Sequence, residues 1–410
     1  MLKTNGRVGT LFTLGAALLP AFASGQAQQT PVPEAPSISP QIELDGTGIG
    51  TAELRFPRFT LPSGIRSSTS RINVSDSALL VGVSERLFRK GGIGSFVVGL
   101  TSTESNKSPS GTDAFLHQLY LNYQTRSLEA TIGRTDTATR LIDFPTLRGD
   151  DLNEFVNVLD PNSDGANIQE HRYSNQAAVT LNRNLHSFLN LHAQNLITST
   201  AGTTGQSGVN SYGMNFQYQE LASLQALKKI PMWGFGYERQ TIGRGEGGAN
   251  NVLYGGLVYN INPDPIDRVD VRLQNIYTFG NDTNTFGVVN DTFRAANNSV
   301  AASLRWLHSP FGVPGYQVSL TAGYKSYEHI RNGDTFALAL TGVKRLGSGF
   351  DLVLQYTYQH RQAAYAAAYS GVQDEHSIQL GFVFNFANTF NQHLGPRRSL
   401  LNTQHQYVPD

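Results

Sequence analysis

The stretch that decides the fold is "HSIQLGFVFNF", residues 376–386. Every second residue in it is large and apolar: Ile378, Leu380, Phe382, Phe384 and Phe386. The residues between them are polar or small: Gln379, Gly381, Val383 and Asn385. Because successive side chains of a β-strand point to opposite faces, the stretch predicts a strand with one apolar face and one polar or small face.

The same alternation recurs in sixteen segments along the chain. They lie near residues 50–60, 77–90, 93–105, 113–126, 128–140, 172–184, 187–200, 207–220, 231–242, 250–262, 268–280, 297–309, 316–329, 334–347, 350–363 and 375–388. Most contain about twelve residues or more, against roughly 5–6 in the strands of soluble sheets. A tilted strand needs roughly 9–11 residues to cross the hydrocarbon layer of a bilayer. The segments are therefore long enough to span a membrane.

Composition removes several classes of function. The chain has 31 acidic and 31 basic residues, and this zero balance gives no whole-chain attraction to nucleic acid. It has no Cys, which excludes disulfides and thiolate metal sites. Charged residues make up 15% of the chain, against about 25% in ordinary soluble domains.

The N-terminus has the order of a secretory signal. Lys3 and Arg7 precede an apolar run, and small residues up to Ala27 follow it. The run is about a dozen residues long, whereas a membrane-spanning helix needs roughly 20, so a cleaved signal peptide over 1–27 is favoured over a membrane anchor. The Pro-rich polar segment that follows, residues 28–49, is predicted to be disordered.

Alternation alone fits both a soluble β-sandwich and a membrane barrel. Strand length, aromatic residues near strand ends, the signal peptide and the lack of Cys favour the barrel. In hydrocarbon every backbone N–H and C=O must be paired, so a spanning sheet has to close. We therefore predict an all-β fold, a transmembrane antiparallel β-barrel of about 16 strands over residues 50–390, with a C-terminal tail at 391–410.

Short and long connections alternate along the predicted barrel, as in outer-membrane barrels, with two exceptions. "RNGD" at 331–334 is short where a long loop is expected. Residues 221–229 have the pattern of a small amphipathic helix where a tight turn is expected. Either exception would be explained by a misplaced strand boundary.

The end of the decisive stretch resembles the C-terminal targeting signal of Gram-negative outer-membrane barrels. The matching residues are Gln379, Gly381, Phe384 and Phe386. Barrels of this kind usually end on the final aromatic residue, whereas this chain continues to Asp410, and Phe390 is an alternative end of the last strand.

A second stretch, "LYLNYQTRSLEATIGRTD" at 119–136, resembles strands four and five of the sixteen-stranded general porins. The resemblance implies an outer-membrane location, contact with membrane lipid, assembly as a homotrimer, and a long loop after strand five that folds into the lumen. It also implies a water-filled channel for small hydrophilic solutes and ions. A non-conducting structural or adhesion barrel and a barrel enzyme are the alternatives. No nucleophile motif is present, so we expect no enzyme activity and no cofactor.

The predicted pore carries opposed charges. The loop at 141–171 contains seven acidic residues and one Arg, and we select Asp143, Asp150, Asp151 and Glu154 as constriction candidates. Alternation directs four bases into the lumen: Arg86, Arg272, Arg305 and Lys325. Acids on the loop that face bases on the wall would set a field across the channel and select among solutes. The alternative is a solvated outer flap.

Arg134 matches the "GR" position of the porins, although strict alternation from Ile132 points it outward. A bulge near Gly133 would turn it inward. His117, His192 and His360 lie on or near predicted strands without the spacing of a metal site, and we interpret them as lumenal or interfacial residues.

Overall fold

The structure is a computed structural model that describes seventeen segments of the chain. They are residues 41–59, 69–74, 77–86, 93–104, 113–124, 127–136, 173–183, 187–196, 211–218, 231–240, 250–264, 266–280, 297–309, 315–328, 331–347, 349–369 and 372–390.

These residues form seventeen β-strands and one short helix. The strands are β1 Gln41–Phe59, β2 Thr69–Val74, β3 Ser77–Arg86, β4 Ile93–Glu104, β5 Asp113–Gln124, β6 Leu128–Asp136, β7 Tyr173–Arg183, β8 Ser187–Leu196, β9 Ser211–Tyr218, β10 Met232–Gln240, β11 Asn250–Pro263, β12 Asp267–Gly280, β13 Asn297–His308, β14 Tyr316–Tyr327, β15 Thr335–Gly347, β16 Phe350–Arg361 and β17 Val372–Phe390. The helix α1 spans Ala363–Tyr369.

All strand pairings are antiparallel, and together they close into a ring. From β3 to β17 each strand pairs with the next one along the chain. β1 pairs with β17 along one edge and with β2 and β3 along the other. Because β2 and β3 share that edge, the seventeen strands fill sixteen positions in the ring. The predicted antiparallel barrel of about 16 strands is confirmed, and closure leaves no open sheet edge.

The two faces of the strands differ as the alternation predicts. The outer face is apolar and exposed, and it includes Leu354 at 56% and Phe235 at 54% exposure. The inner face is buried and mostly polar, with Gln355 at 0% and Gln379 at 3%, although apolar residues such as Ile276 and Val353 also lie on it. In the decisive stretch, Ile378, Leu380, Phe382 and Phe384 are on the outer face, and Val383 is buried on the inner one. The side chain of Phe386 lies outside the described residues.

Two boundaries differ from the prediction. β1 begins at Gln41, so the prediction of disorder over 28–49 is wrong for residues 41–49. Those residues pair with β17 and β3, which satisfies their backbone groups. β17 ends at Phe390, the alternative end noted above. Residues 1–40, the tail at 391–410 and the segment 221–229 lie outside the described residues.

The short connection at 331–334 is genuine, and the neighbouring strand boundaries hold. Asn332 turns the chain with a φ of 61°, in the left-handed region that Asn tolerates. The segment around α1 packs against it: the Ala364 N–H donates to the Asn332 carbonyl at 2.9 Å, and the Gln362 N–H donates to the Asp334 carbonyl at 2.9 Å. These two hydrogen bonds tie the start of α1 to the short connection.

No helix among the described residues is long and apolar enough to cross a membrane.

Candidate functional site

Three of the predicted wall bases lie on the inner face. Arg272 on β12, Arg305 on β13 and Lys325 on β14 are buried there, at 6%, 3% and 6% exposure. Strand alternation alone is sufficient to place them. Their role in a constriction stays a prediction.

The three bases do not form one group. Ser299 of β13 is directly opposite Lys325, whereas Arg305 lies six residues farther along the same strand. At about 3.3 Å per residue, the level of Lys325 is roughly 20 Å from that of Arg305. The structure therefore brings Arg272 and Arg305 together and leaves Lys325 near the opposite end of the wall.

Arg272 and Arg305 meet at a carboxylate that the sequence analysis missed. Asp270 is opposite Arg305 in the register of β12 and β13, and its side chain is 1% exposed. Arg305 Nε donates to Asp270 Oδ2 at 2.8 Å, and Arg272 Nε donates to Oδ1 at 3.2 Å. Arg268 Nε lies 3.7 Å from Oδ2. We call these four residues the arginine–aspartate cluster.

The arginine–aspartate cluster lies at one end of a polar row around the inner wall. The row links directly opposite residues on neighbouring strands: Glu53, Gln379, Gln355, Thr341, Ser319, Arg305 and Asp270. Gln379 Nε2 donates to Glu53 Oε1 at 2.8 Å, and Thr341 Oγ1 donates to Gln355 Oε1 at 2.9 Å. The wall is therefore polar across seven consecutive positions of the ring, which gives a lumen a hydrophilic lining.

A second cluster lies on β8, β9 and β10. His192 of β8 and Glu238 of β10 are on either side of Gly213 of β9 in the strand register. His192 Nε2 and Glu238 Oε1 are 2.7 Å apart, and both side chains are 0% exposed. Gln194 Nε2 donates to Glu238 Oε1 at 2.8 Å, and Ser211 Oγ donates to Oε2 at 3.3 Å. We call these four side chains the histidine–glutamate cluster.

The histidine–glutamate cluster depends on the absence of a side chain at Gly213. A Cβ there would lie 2.5 Å from His192 Nε2 and 2.7 Å from Glu238 Cγ. Only glycine leaves room for side chains two strands apart to cross the intervening strand and meet.

The cluster continues into β7. His192 Nδ1 is 2.8 Å from Asn190 Oδ1, and Asn190 Nδ2 donates to Thr180 Oγ1 at 2.8 Å. Four neighbouring strands, β7 to β10, are thus joined by side-chain hydrogen bonds on the inner face.

The end of the wall near α1 carries balanced ion pairs and stacked rings. Arg361 Nη1 donates to Glu375 Oε2 at 3.0 Å. Lys325 Nζ is 5.3 Å from the ring centroid of Tyr327, which is 6.0 Å from that of Tyr365 on α1. The cation and the rings fasten the helix to the inner edge of the barrel.

The register decides the position of Arg134. It is opposite the outward-facing Leu119, and the pairing of β6 shows no register shift on either side of Gly133. The proposed bulge is therefore wrong, although Gly133 has a φ of 127° that favours glycine. The backbone register thus places Arg134 opposite Leu119, and its side chain lies outside the described residues.

Several other site residues fall outside the described side chains. These are Arg86, Asp143, Asp150, Asp151, Glu154 and the side chains of Arg134 and His117. Of the remaining histidines, His192 is on the inner face, and His360 is 2.7 Å from Asp374 Oδ1 on the outer one.

The described residues offer no group of three His, Cys, Asp or Glu side chains that could hold a metal ion. Nor does the histidine–glutamate cluster have the order that activates a serine. Ser211 donates to the carboxylate of Glu238, whereas a serine nucleophile must donate to the imidazole that serves as its base.

Comparison with known proteins gives the fold. No protein-family model and no curated protein sequence matches the chain. Among solved structures, an anion-selective porin from Comamonas acidovorans superposes with a TM-score of 0.58 at 14% identity, covering 85% of this chain and 100% of that one. The outer-membrane channel DcaP of Acinetobacter baumannii gives 0.55 at 12% identity, covering 85% and 98%. OprB of Pseudomonas putida gives 0.55 at 11% identity, covering 85% and 94%. The chain therefore has the fold of the outer-membrane porins, as the sequence resemblance implied.

Proposed function

We propose that the protein is an outer-membrane porin, a water-filled channel through which small hydrophilic solutes and ions diffuse passively. The observation that carries the proposal is the sorting of side chains between the faces of a closed ring. Leucine, phenylalanine and tryptophan are on the outside, and glutamine, threonine, serine and charged residues are on the inside. Such a surface fits lipid outside and water within.

Export and assembly follow from the same proposal. Residues 1–27 direct the chain out of the cytoplasm, and Gln379, Gly381, Phe384 and Phe386 act as the assembly signal. Membrane lipid is then the partner of the outer face, and the mature protein forms a homotrimer. The porin fold and the apolar outer face support these assignments.

The loop at 141–171 narrows the lumen in this proposal. Its acidic residues face bases of the inner wall, among which Arg272 and Arg305 are already grouped around Asp270. Opposed charges across a narrow passage would control which solutes pass.

Planar bilayers test the proposal directly. Purified, folded protein is expected to add stepwise conductance increments, because each closed ring opens one aqueous path. A preparation that is folded by circular dichroism yet leaves the bilayers silent would favour the non-conducting structural or adhesion barrel.

The loop is tested by a triple variant, Asp150→Asn, Asp151→Asn and Glu154→Gln. Neutralisation is expected to shift the reversal potential in a salt gradient toward anions, since it removes negative charge from the passage. Unchanged selectivity together with normal conductance would show that the loop is an outer flap.

A further inference from the structure

The apolar outer face of the barrel has a hollow at Gly342 of β15. In the strand register Gly342 lies between Val318 of β14 and Leu354 of β16, and both of these side chains are exposed on the outer face. Among the described atoms of other strands, a Cβ at Gly342 would meet just the Leu354 carbonyl oxygen within 4 Å, at 3.9 Å. No described side chain therefore fills this space, which we call the Gly342 recess.

The Gly342 recess differs from the space above Gly236 on the inner face. A Cβ at Gly236 would overlap the ring of Tyr254, because that ring lies over the glycine. There the missing side chain makes room for another residue of the wall. At Gly342 no described residue uses the room, so the recess is open to a molecule that approaches the outer face.

A lysine lies at one end of the Gly342 recess. Lys344 is exposed on the same face, two residues from Gly342, which is about 7 Å along the strand. Its Nζ lies 5.5 Å from the ring centroid of Tyr316, which is 4.8 Å from that of His308 and 5.2 Å from that of Trp306. Trp and Tyr collect at the headgroup level of membranes, so the aromatic rings place the ammonium group at the level of lipid phosphates.

The acids closest to Lys344 in the strand register are engaged with other partners. Asp351 is buried on the inner face, where it accepts from Arg345 Nε at 3.3 Å. Asp267 lies three strands away on β12 and contacts His308 at 2.6 Å. The charge of Lys344 on the outer face is thus complementary to an anion in the membrane surface.

We propose that Lys344 and the Gly342 recess form a binding site for an anionic phospholipid. The phosphodiester of the headgroup contacts the Lys344 ammonium, and the upper part of one acyl chain lies between Val318 and Leu354. A glycerol headgroup has no cation, so it leaves the phosphate charge to the lysine, whereas a choline headgroup supplies a cation of its own. The site rests on the proposed membrane barrel and names the lipid that one patch of its outer face prefers.

The dimensions of the site suit one lipid chain. Neighbouring strands are about 5 Å apart, so the missing side chain leaves an opening one strand wide between two exposed apolar side chains. Burial of acyl methylenes in this opening removes apolar surface from contact with other lipids without a loss of hydrogen bonds. The preference for an anionic lipid comes from the ammonium group, and one base at a membrane surface strengthens binding about fivefold.

The two tryptophans of the chain allow the site to be tested by fluorescence on the full-length protein. Trp306 belongs to the aromatic group at Tyr316, whereas Trp233 is on β10 with a similar exposure. Trp233→Phe protein, in which Trp306 is the remaining tryptophan, is folded into phosphatidylcholine vesicles. The vesicles contain a minor fraction of either brominated phosphatidylglycerol or brominated phosphatidylcholine, and bromine quenches a tryptophan that it approaches closely.

Trp306 should be quenched more strongly by the brominated phosphatidylglycerol, with a relative association constant of about five over phosphatidylcholine. Lys344→Gln should lower this ratio to about one, because the ammonium group is lost. Gly342→Leu should lower it as well, because the leucine side chain occupies the place of the acyl chain. Gly255→Leu is the matched control, since it fills an outer-face glycine position between Leu253 and Leu257 and should leave the ratio unchanged.

Two results would overturn the site: equal quenching of Trp306 by the two lipids, or a preference for phosphatidylglycerol that survives Lys344→Gln. If Gly342→Leu does not fold, the Lys344→Gln comparison still tests the proposal. In Trp306→Phe protein, the quenching of Trp233 should not respond to Lys344→Gln. A response there would show a general charge effect and overturn the site.

The fluorescence measurement separates the site from the channel, because it does not require conduction. Quenching without lipid preference in a conducting protein refutes the site alone. A preference that depends on Lys344 in a protein that leaves bilayers silent refutes the channel alone. If neither Trp306 nor Trp233 is quenched by either lipid, the outer face does not meet lipid, and the membrane barrel itself is refuted.

Discussion

The two clusters on the inner wall hold a buried carboxylate in different ways. In the arginine–aspartate cluster, Asp270 meets Arg305 directly across one strand pair. In the histidine–glutamate cluster, Glu238 meets His192 across an intervening strand, through the gap at Gly213. One contact needs only the correct register, whereas the other also needs a missing side chain between the partners.

The clusters also differ in the partners of their carboxylates. A guanidinium stays charged at all physiological pH values, so the wall of β12 and β13 keeps its ionic character. In the histidine–glutamate cluster, the partners of the Glu238 carboxylate are instead an imidazole and the uncharged donors Gln194 and Ser211. The barrel therefore holds one buried carboxylate with guanidinium groups and the other with an imidazole and uncharged donors.

The largest expected loss of folding stability comes from Asp270→Ala, which removes the carboxylate of the arginine–aspartate cluster. Two guanidinium groups would lose the carboxylate to which they donate, and loss of one partner from a buried charge pair costs about 3–5 kcal/mol. Denaturant unfolding of the refolded barrel in detergent measures the loss.

The matched control for that variant is Asp267→Ala. Asp267 contacts His308 at 2.6 Å, but its side chain is 45% exposed, so its pair should contribute about 0–1 kcal/mol. Equal stability losses in the two aspartate variants would contradict the idea that burial makes Asp270 important.

The next largest expected loss of stability comes from Gly213→Ala. This variant fills the space on β9 in which His192 and Glu238 meet. The added methyl group would overlap His192 and Glu238, and overpacking of this kind costs about 1–3 kcal/mol. Gly255→Ala is the control, because a Cβ there meets its nearest atom at 3.5 Å, which is ordinary contact. The same unfolding assay compares the two, and a stable Gly213→Ala protein would refute the requirement for glycine.

The smallest expected effect is a change in ion selectivity, and it is caused by Arg305→Gln. Removal of one inner-wall charge should favour cations by roughly twofold, since the charge acts on the passing ion through water. Asp270 keeps its bond from Arg272 at 3.2 Å, which should preserve the fold. Arg239→Gln removes an exposed charge from β10 and should leave the reversal potential unchanged. A shift of equal size in both variants would show that the position on the inner wall is irrelevant.

Much of the fold could be predicted because its main signal is local. Alternation with a period of two assigns each residue to a face wherever a strand is regular, and it correctly placed Arg272, Arg305 and Lys325 inside. The same rule placed Arg134 outside, and the added bulge was the error. The start of β1 was missed because "QIELDGTGIG" lies beside a Pro-rich segment and its glycines weaken the apolar pattern.

The candidate site was less accessible to prediction. Asp270 stands two residues before Arg272 on the same face, so the "DVR" pattern at 270–272 could have indicated an ion pair. No comparable signal links His192 to Glu238, which are 46 residues apart in sequence. Their contact follows from the pairing of three strands and from the glycine in the middle one.

The sequence by itself determined the class of fold, the sixteen positions of the ring and the face on which most charges lie. These properties depend on the alternation of polar and apolar residues along each strand. That alternation is the same wherever the strand lies in the sheet. Only the tertiary structure decided which polar side chains meet, because the register between strands and the space above each glycine arise when the ring closes. The contact between His192 and Glu238 belongs to this second group, since neither residue has its partner until β9 lies between them.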